Sequence, residues 1–268
     1  MTAAVEDGRR RCPWALAAPA GDQQLLRDYH DHEWGRPVRG RTALFERLTL
    51  EGFQSGLSWL VILRKRENFR RAFAGFDIEA VAGFTGADID RLMADPGIVR
   101  NRAKIEAAIT NARVAAGLDV DLSELLWAYA PPVRSRPATQ SAMPTRTAES
   151  TALAGELRSR GFRFVGPTTV YALMQATGMV DDHLQDCWVS GYLATGNAGR
   201  EEWITLESEQ PSPDRCRRPC LNLEGALDGG DEAPDRGRSA GSDQGGARHR
   251  DAGTARRRWT TRRRADPR

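Results

Sequence analysis

The segment from Ala94 to Ala112 constrains the architecture most. Ala94-Asp95-Pro96-Gly97-Ile98-Val99-Arg100-Asn101-Arg102 contains a Pro-Gly pair that breaks a continuous helix. Ile105, Ala108, Ile109 and Ala112 then recur at i, i+3, i+4 and i+7, the period of a helix with one buried face. A helix stops, a tight turn follows and a second helix starts, which is a helix–hairpin–helix pattern. The turn presents backbone amides near a helix N-terminus, where free N–H groups and the dipole favour a phosphate. Gly97, Arg100, Arg102 and, one turn on, Lys104 fit that use. The same pattern also serves as an ordinary link with a solvated face.

The remaining punctuation is helical as well. Asp22 is placed to cap a helix through Leu25, Leu26 and Tyr29 that Gly35 and Pro37 stop. Thr42 is expected to cap a helix ending near Glu51, and 57–73 to form one or two more. Asp77 and Thr85 are caps for short helices at 78–82 and 87–93. A helix at 122–129 precedes a Pro-, Ser- and Thr-rich loop over 131–147. Gly161 closes a helix at 149–160, and Pro167 opens a last one that ends at Gly178. No segment alternates as a strand does, so the expected fold is all-α.

Apolar patterning lasts to about Tyr192, after which Gly, Arg, Asp, Ser and Pro dominate. Such a composition cannot offset the entropy of folding. The expected organisation is a flexible leader over 1–10, one domain over 11–194 and a disordered tail over 195–268. The tail ends in Arg256-Arg257-Arg258 and Arg262-Arg263-Arg264, blocks that bind nucleic acid or form a solvated extension. The net charge of +3 selects no partner class. Met1 to Arg11 lacks the apolar core of a secretory signal, and 57–63 is too short to span a bilayer. Two of the four cysteines, Cys216 and Cys220, fall in the tail, so a disulfide framework is not expected. The chain reads as cytoplasmic and monomeric, with no membrane partner.

Two groups of residues carry chemistry. Glu51-Gly52-Phe53-Gln54-Ser55-Gly56-Leu57-Ser58-Trp59 puts a carboxylate, an amide and an indole beside two glycines. They suit a pocket for a flat ligand with polar edges, or a plain helix end. Separately, His183 and Cys187 stand four apart, which on a helix is one face, and Cys12 and His30 are donors near the other end of the domain. Two thiolates and two imidazoles are a closed zinc set, but buried Cys and His also occur without metal. His30-x-His32-Glu33 offers a rival, two ligands and a base for a hydrolytic zinc.

Together these segments resemble the bacterial type I 3-methyladenine DNA glycosylases, a branch of the helix–hairpin–helix glycosylases. The resemblance runs from about Arg11 to Tyr192. It rests on Arg-Cys-Pro-Trp at 11–14, Tyr-His-Asp-His-Glu-Trp-Gly at 29–35, Leu-Glu-Gly-Phe-Gln-Ser-Gly-Leu-Ser-Trp at 50–59 and Lys-Arg-Glu-Asn-Phe at 65–69. It continues in the hairpin, in Arg-Gly-Phe-Arg-Phe-Val-Gly at 160–166 and in Asp-Asp-His at 181–183. The resemblance implies one structural zinc on Cys12, His30, His183 and Cys187, and a base pocket of Glu51, Tyr29, Trp14, Trp34 and Trp59 with Gln54 nearby. It implies hydrolytic excision of a flipped 3-methyladenine from double-stranded DNA. Leu26 stands where the family carries a second tyrosine. Asn101 stands near the catalytic lysine of bifunctional relatives, so no strand cleavage is expected.

Overall fold

The computed structural model describes residues 3–4 and 7–189. The tail with its arginine blocks, Cys216 and Cys220 lies outside the described residues. Nine α-helices account for most of the regular structure among the described residues: α1 (Gln23–His32), α2 (Arg41–Gln54), α3 (Trp59–Ala72), α4 (Ile78–Ala82), α5 (Gly86–Ala94), α6 (Arg102–Ala116), α7 (Leu122–Trp127), α8 (Ala148–Ser159) and α9 (Pro167–Ala176). Within the stretch expected as a leader, β1 (Ala3–Ala4) pairs antiparallel with β2 (Arg10–Arg11). None of these helices is long and apolar enough to cross a membrane.

The centre of the domain is α2. Its residues from Arg47 to Phe53 are all buried, so this helix is enclosed on every side rather than amphipathic. It packs on α3, α6, α7 and α9. Phe53 meets Phe69 of α3 at a ring separation of 4.7 Å, and Phe73 stacks on Phe76 at 5.7 Å, which closes the core under the α3 terminus. The last carbonyls of a helix have no partner within it, and two of them stand where α2 gives way to the exposed Ser55. Lys104 of α6 satisfies them, its Nζ donating to Phe53 O at 2.8 Å and Ser55 O at 2.5 Å. A cation at a helix C-terminus is also favoured by the dipole.

Several caps differ from expectation for identifiable reasons. Asp22 precedes α1, but its carboxylate is held by Arg64 instead of capping an amide. Thr42 lies inside α2, whose N-cap is Gly40 at φ +85°, a conformation unfavourable for threonine. Asp77 caps α4 by accepting from Ala80 N, and Thr85 forms a capping box with Asp88 at α5. The α5–α6 turn runs through Pro96 and Gly97, and Asn101 caps α6 by accepting from Lys104 N. The 183–187 segment is a turn, not a helix, with Cys187 N donating to Leu184 O. His183 and Cys187 therefore converge by a reversal of the chain.

The end of α9 is strapped to the turn that follows α1. Gly35 N donates to Gln175 O at 3.1 Å and Val38 N to Thr177 O at 3.0 Å. Gly178, at φ +69°, passes so close that a Cβ would stand 2.5 Å from Arg36 C and 2.6 Å from Pro37 N. Gly178→Ala must therefore both adopt a left-handed conformation and push two backbones apart. It is expected to cost at least about 2 kcal/mol, read as an earlier denaturant midpoint with an unchanged slope.

Candidate base pocket and metal cluster

Cys12 follows β2, His30 lies on α1, and His183 and Cys187 lie on the turn after α9. All four are buried, and their donor atoms lie within 4.8 Å of one another. Cys187 Sγ stands 3.6 Å from His30 Nε2 and from His183 Nδ1, and Cys12 Sγ stands 3.8 Å from His183 Nδ1. This group could hold a metal ion.

The surroundings fix the rings. His30 Nδ1 lies 2.7 Å from Asp31 Oδ1, which leaves Nε2 facing the sulfurs. His183 Nε2 lies 3.1 Å from Trp34 O, which leaves Nδ1 facing them. The backbone N–H of Leu184 donates to Cys12 Sγ at 3.4 Å. Asp31 is itself gripped by Arg11 through Nε at 3.0 Å and NH2 at 2.7 Å. Against the upward push of burial, Arg11 and then His30 hold the Asp31 carboxyl below its ordinary range. The Cys187 thiol is pulled down by its hydrogen bond with Cys12 and, against burial, by the two imidazoles. The same contact and burial push Cys12 up.

The rival hydrolytic site is not assembled. His32 is exposed, and Glu33 is occupied by Arg66 at 2.6 and 2.8 Å and by Arg47 at 2.8 Å. Those arginines hold Glu33 at about 2 against its burial.

Directly against the cluster lies a cavity of about 280 Å³ lined by Trp14, Tyr29, Trp34, Glu51, Gln54 and Trp59, with Met143, Ala172 and Gln175. Trp34 meets the His183 ring edge-on at 4.7 Å, and Trp14 meets Trp34 at 5.0 Å and His30 at 5.2 Å. Tyr29 lies 5.1 Å from Trp59. The aromatic wall is thus backed by the Cys/His rings. All six pocket residues anticipated from sequence meet here. Leu26 lies behind them, packed with Tyr29, Trp34, Leu63 and Ala176.

Glu51 is 5% exposed, and its Oε2 has no hydrogen-bond partner; the indole N–H of Trp59 is likewise buried and unpaired. A buried polar atom without a partner costs free energy unless a ligand satisfies it. Burial pushes the Glu51 carboxyl up to about 8, only partly opposed by Arg47. Burial also raises the Tyr29 phenol.

Three lining residues escaped the sequence reading. Met143 comes from a loop and gives no signal. Ala172 and Gln175 come from α9, and Gln175 is the lone amide in the otherwise apolar run Leu173-Met174-Gln175-Ala176, which was a usable hint. Its Nε2 donates to Asp182 Oδ2 at 2.8 Å, a carboxylate that also accepts from Tyr171 and Arg134. Asp182 thereby links the Cys/His turn to the pocket.

The residues expected on DNA are divided. Arg100 is exposed, and Arg102 is exposed but paired with Asp90 at 2.9 Å. The Gly97 amide already donates to Asp95 Oδ1 at 2.7 Å, and a Cβ there would meet Asn68 at 3.0 Å. Lys104 departs from expectation altogether, because its ammonium is committed to the end of α2.

The fold and site together define a helical protein with an aromatic cavity braced by a Cys/His cluster. Residues 19–190 match the methyladenine glycosylase family. A DNA-3-methyladenine glycosylase of Haemophilus influenzae is 44% identical over 183 residues, covering 66% of this chain and 96% of that protein. A crystal structure of 3-methyladenine DNA glycosylase I aligns at a TM-score of 0.63 with 40% identity, covering 67% of this chain and 98% of that one. Another, of a single-residue variant in complex with 3-methyladenine, aligns at 0.60 with 37% identity over 66% and 96%. The chain belongs to the methyladenine glycosylase family.

The raised Glu51 carboxyl has a measurable consequence. In the folded protein it stays protonated to about pH 8, whereas the unfolded side chain ionises near 4.5. The stability this group allows is intact below its unfolded value and is lost as pH rises toward the folded one. Relative to Glu51→Gln, the wild type should lose about 2–3 kcal/mol of unfolding free energy between about pH 5 and 7. Parallel pH profiles of the two proteins in chemical denaturation would contradict this.

Proposed function

We propose that this protein is a monofunctional DNA glycosylase that hydrolytically excises 3-methyladenine from alkylated double-stranded DNA and leaves an abasic site. The observation that carries the reading is Glu51, buried with an unsatisfied oxygen at a cavity walled by three tryptophans and a tyrosine. A base must leave the helix stack to reach such a pocket. A 3-methyladenine still attached to the sugar is cationic. Its bond to the sugar is already weak, so little acid catalysis is required of the protein.

Selectivity follows from that charge. The indole faces of Trp14, Trp34 and Trp59 attract a cation more than a neutral purine. Glu51 adds a Coulombic term in a dry site, where such terms are large. A cationic base arriving beside Glu51 favours its ionised form, so binding at neutral pH releases a proton from a carboxyl held near 8. The Glu51 oxygen then accepts from the exocyclic amine of the base. Gln54 and Tyr29 bound the remaining edges. Leu26 packs behind Tyr29 and Trp34 and does not itself line the cavity, so it supports the wall without touching the base.

Zinc is the metal that the donor set suits. A tetrahedral zinc with two thiolates and two imidazoles sets sulfur–nitrogen separations of about 3.6 Å, close to the distances here. When bound it supplies structure rather than chemistry, since four protein donors leave no position for water. Asp31 and Trp34 O would orient the two imidazoles toward it. The protein would act as a cytoplasmic monomer, its leader and tail lying outside the glycosylase domain. On DNA, the α5–α6 turn with Arg100 and Arg102 would hold the phosphates.

Strand cleavage requires an amine to attack the sugar. The Lys104 amine is held by two carbonyls, which supports base release alone. Incubated with methylated DNA, the protein should release 3-methyladenine without strand breaks. Glu51→Gln should slow release by on the order of 100-fold. A borohydride-trapped adduct, or wild-type release by the variant, would contradict the mechanism.

The zinc assignment has its own test. The purified protein should carry one zinc per chain by atomic absorption. His183→Ala should lose it and unfold at least about 3 kcal/mol more easily. A variant of undiminished stability and metal content would remove zinc from the account.

A further inference from the structure

The loop between α8 and α9 spends structure on one exposed aromatic. Phe162 and Val165 are buried in the main core, while Phe164 between them is 42% exposed. Its backbone sits at φ +56°, a region that a bulky residue rarely occupies. Asn111 of α6 enforces that shape, because its side-chain amide donates to Arg163 O at 3.0 Å and accepts from Arg163 N at 2.7 Å. Asn111 is itself buried. A strained backbone held by a buried clamp, with an apolar ring turned outward, marks a surface built for contact.

The neighbours indicate what it contacts. Gly52 directly follows Glu51, and a Cβ on it would lie 3.7 Å from Phe164 Cβ. Gly52, Phe53, Lys104, Asn111, Arg163 and Phe164 line one shallow crevice, so the loop adjoins both the pocket helix and the first turns of the helix after the hairpin. Arg163 is exposed and has no ion pair among the described residues, unlike Arg102 and Arg160. A free guanidinium beside an exposed aromatic suits a phosphate next to a base or sugar face.

We infer that Arg163 and Phe164 form a second DNA-contacting element, Arg163 on a backbone phosphate and Phe164 against the strand beside the lesion. The inference rests on the glycosylase reading and adds a contact outside the base pocket. Arg163→Ala and Phe164→Gly test it by fluorescence anisotropy with a methylated duplex. Glycine accepts the left-handed conformation without strain, so Phe164→Gly should unfold no earlier than wild type. Phe164→Gly should bind the duplex about tenfold more weakly. Arg163→Ala should reduce the salt slope of binding by about one. Both should bind free 3-methyladenine as the wild type does. If the wild type releases 3-methyladenine and both variants bind duplex unchanged, this inference fails while the glycosylase reading stands. If the wild type neither binds the duplex nor releases base, both fail together.

Discussion

Everything at the site depends on the meeting of two distant chain segments, Cys12 and His30 from the start of the domain and His183 and Cys187 from its end. The contact is reinforced from both sides. Arg10 pairs with Asp186 at 2.7 Å, Trp188 N donates to Arg10 O at 2.8 Å, and buried Arg11 grips Asp31, which in turn holds His30. An ion pair removed from water this far needs its hydrogen bonds complete, and Asp31 receives them from Arg11, His30 and Trp188. Trp14 and Trp34 of the pocket rest on the histidine rings. A disturbance of the cluster therefore reaches the ligand wall through direct contact between rings, without any hinge.

A second constraint follows from enclosing α2. Burying the helix on every side gives the core its continuity and also carries Glu51 into a dry environment. Glu51 left without a partner in that environment lowers stability, a common relation between function and stability. Lys104 shows the complementary case. The amine next to the α5–α6 turn serves the helix that carries Glu51, which makes it a support of the pocket rather than a group open to a phosphate.

Much of this was legible in the sequence. The caps Asp77 and Thr85, the breaks at Gly161 and Gly178, and the period of Ile105 to Ala112 are local signals that depend only on neighbouring residues, and the helices follow them. The cluster was not legible from spacing, because its two halves are more than a hundred residues apart and its second half is a turn; only the family resemblance joined them. Lys104 was misplaced because a lysine's sequence context does not reveal a buried carbonyl waiting for it. Met143 reaches the pocket from a loop, a consequence of tertiary packing that no local pattern encodes, whereas Gln175 on α9 stood out only as a lone amide in an apolar run.

The proposed base-binding site is the aromatic cavity braced by the Cys/His cluster. The most direct measurement is titration of tryptophan fluorescence with free 3-methyladenine, on intact protein and on protein treated with a metal chelator. The account predicts saturable quenching by 3-methyladenine that exceeds quenching by adenine and is lost after chelation, since Trp34 rests on His183. Absence of saturable quenching in the intact protein, or quenching by adenine of equal strength, would contradict it.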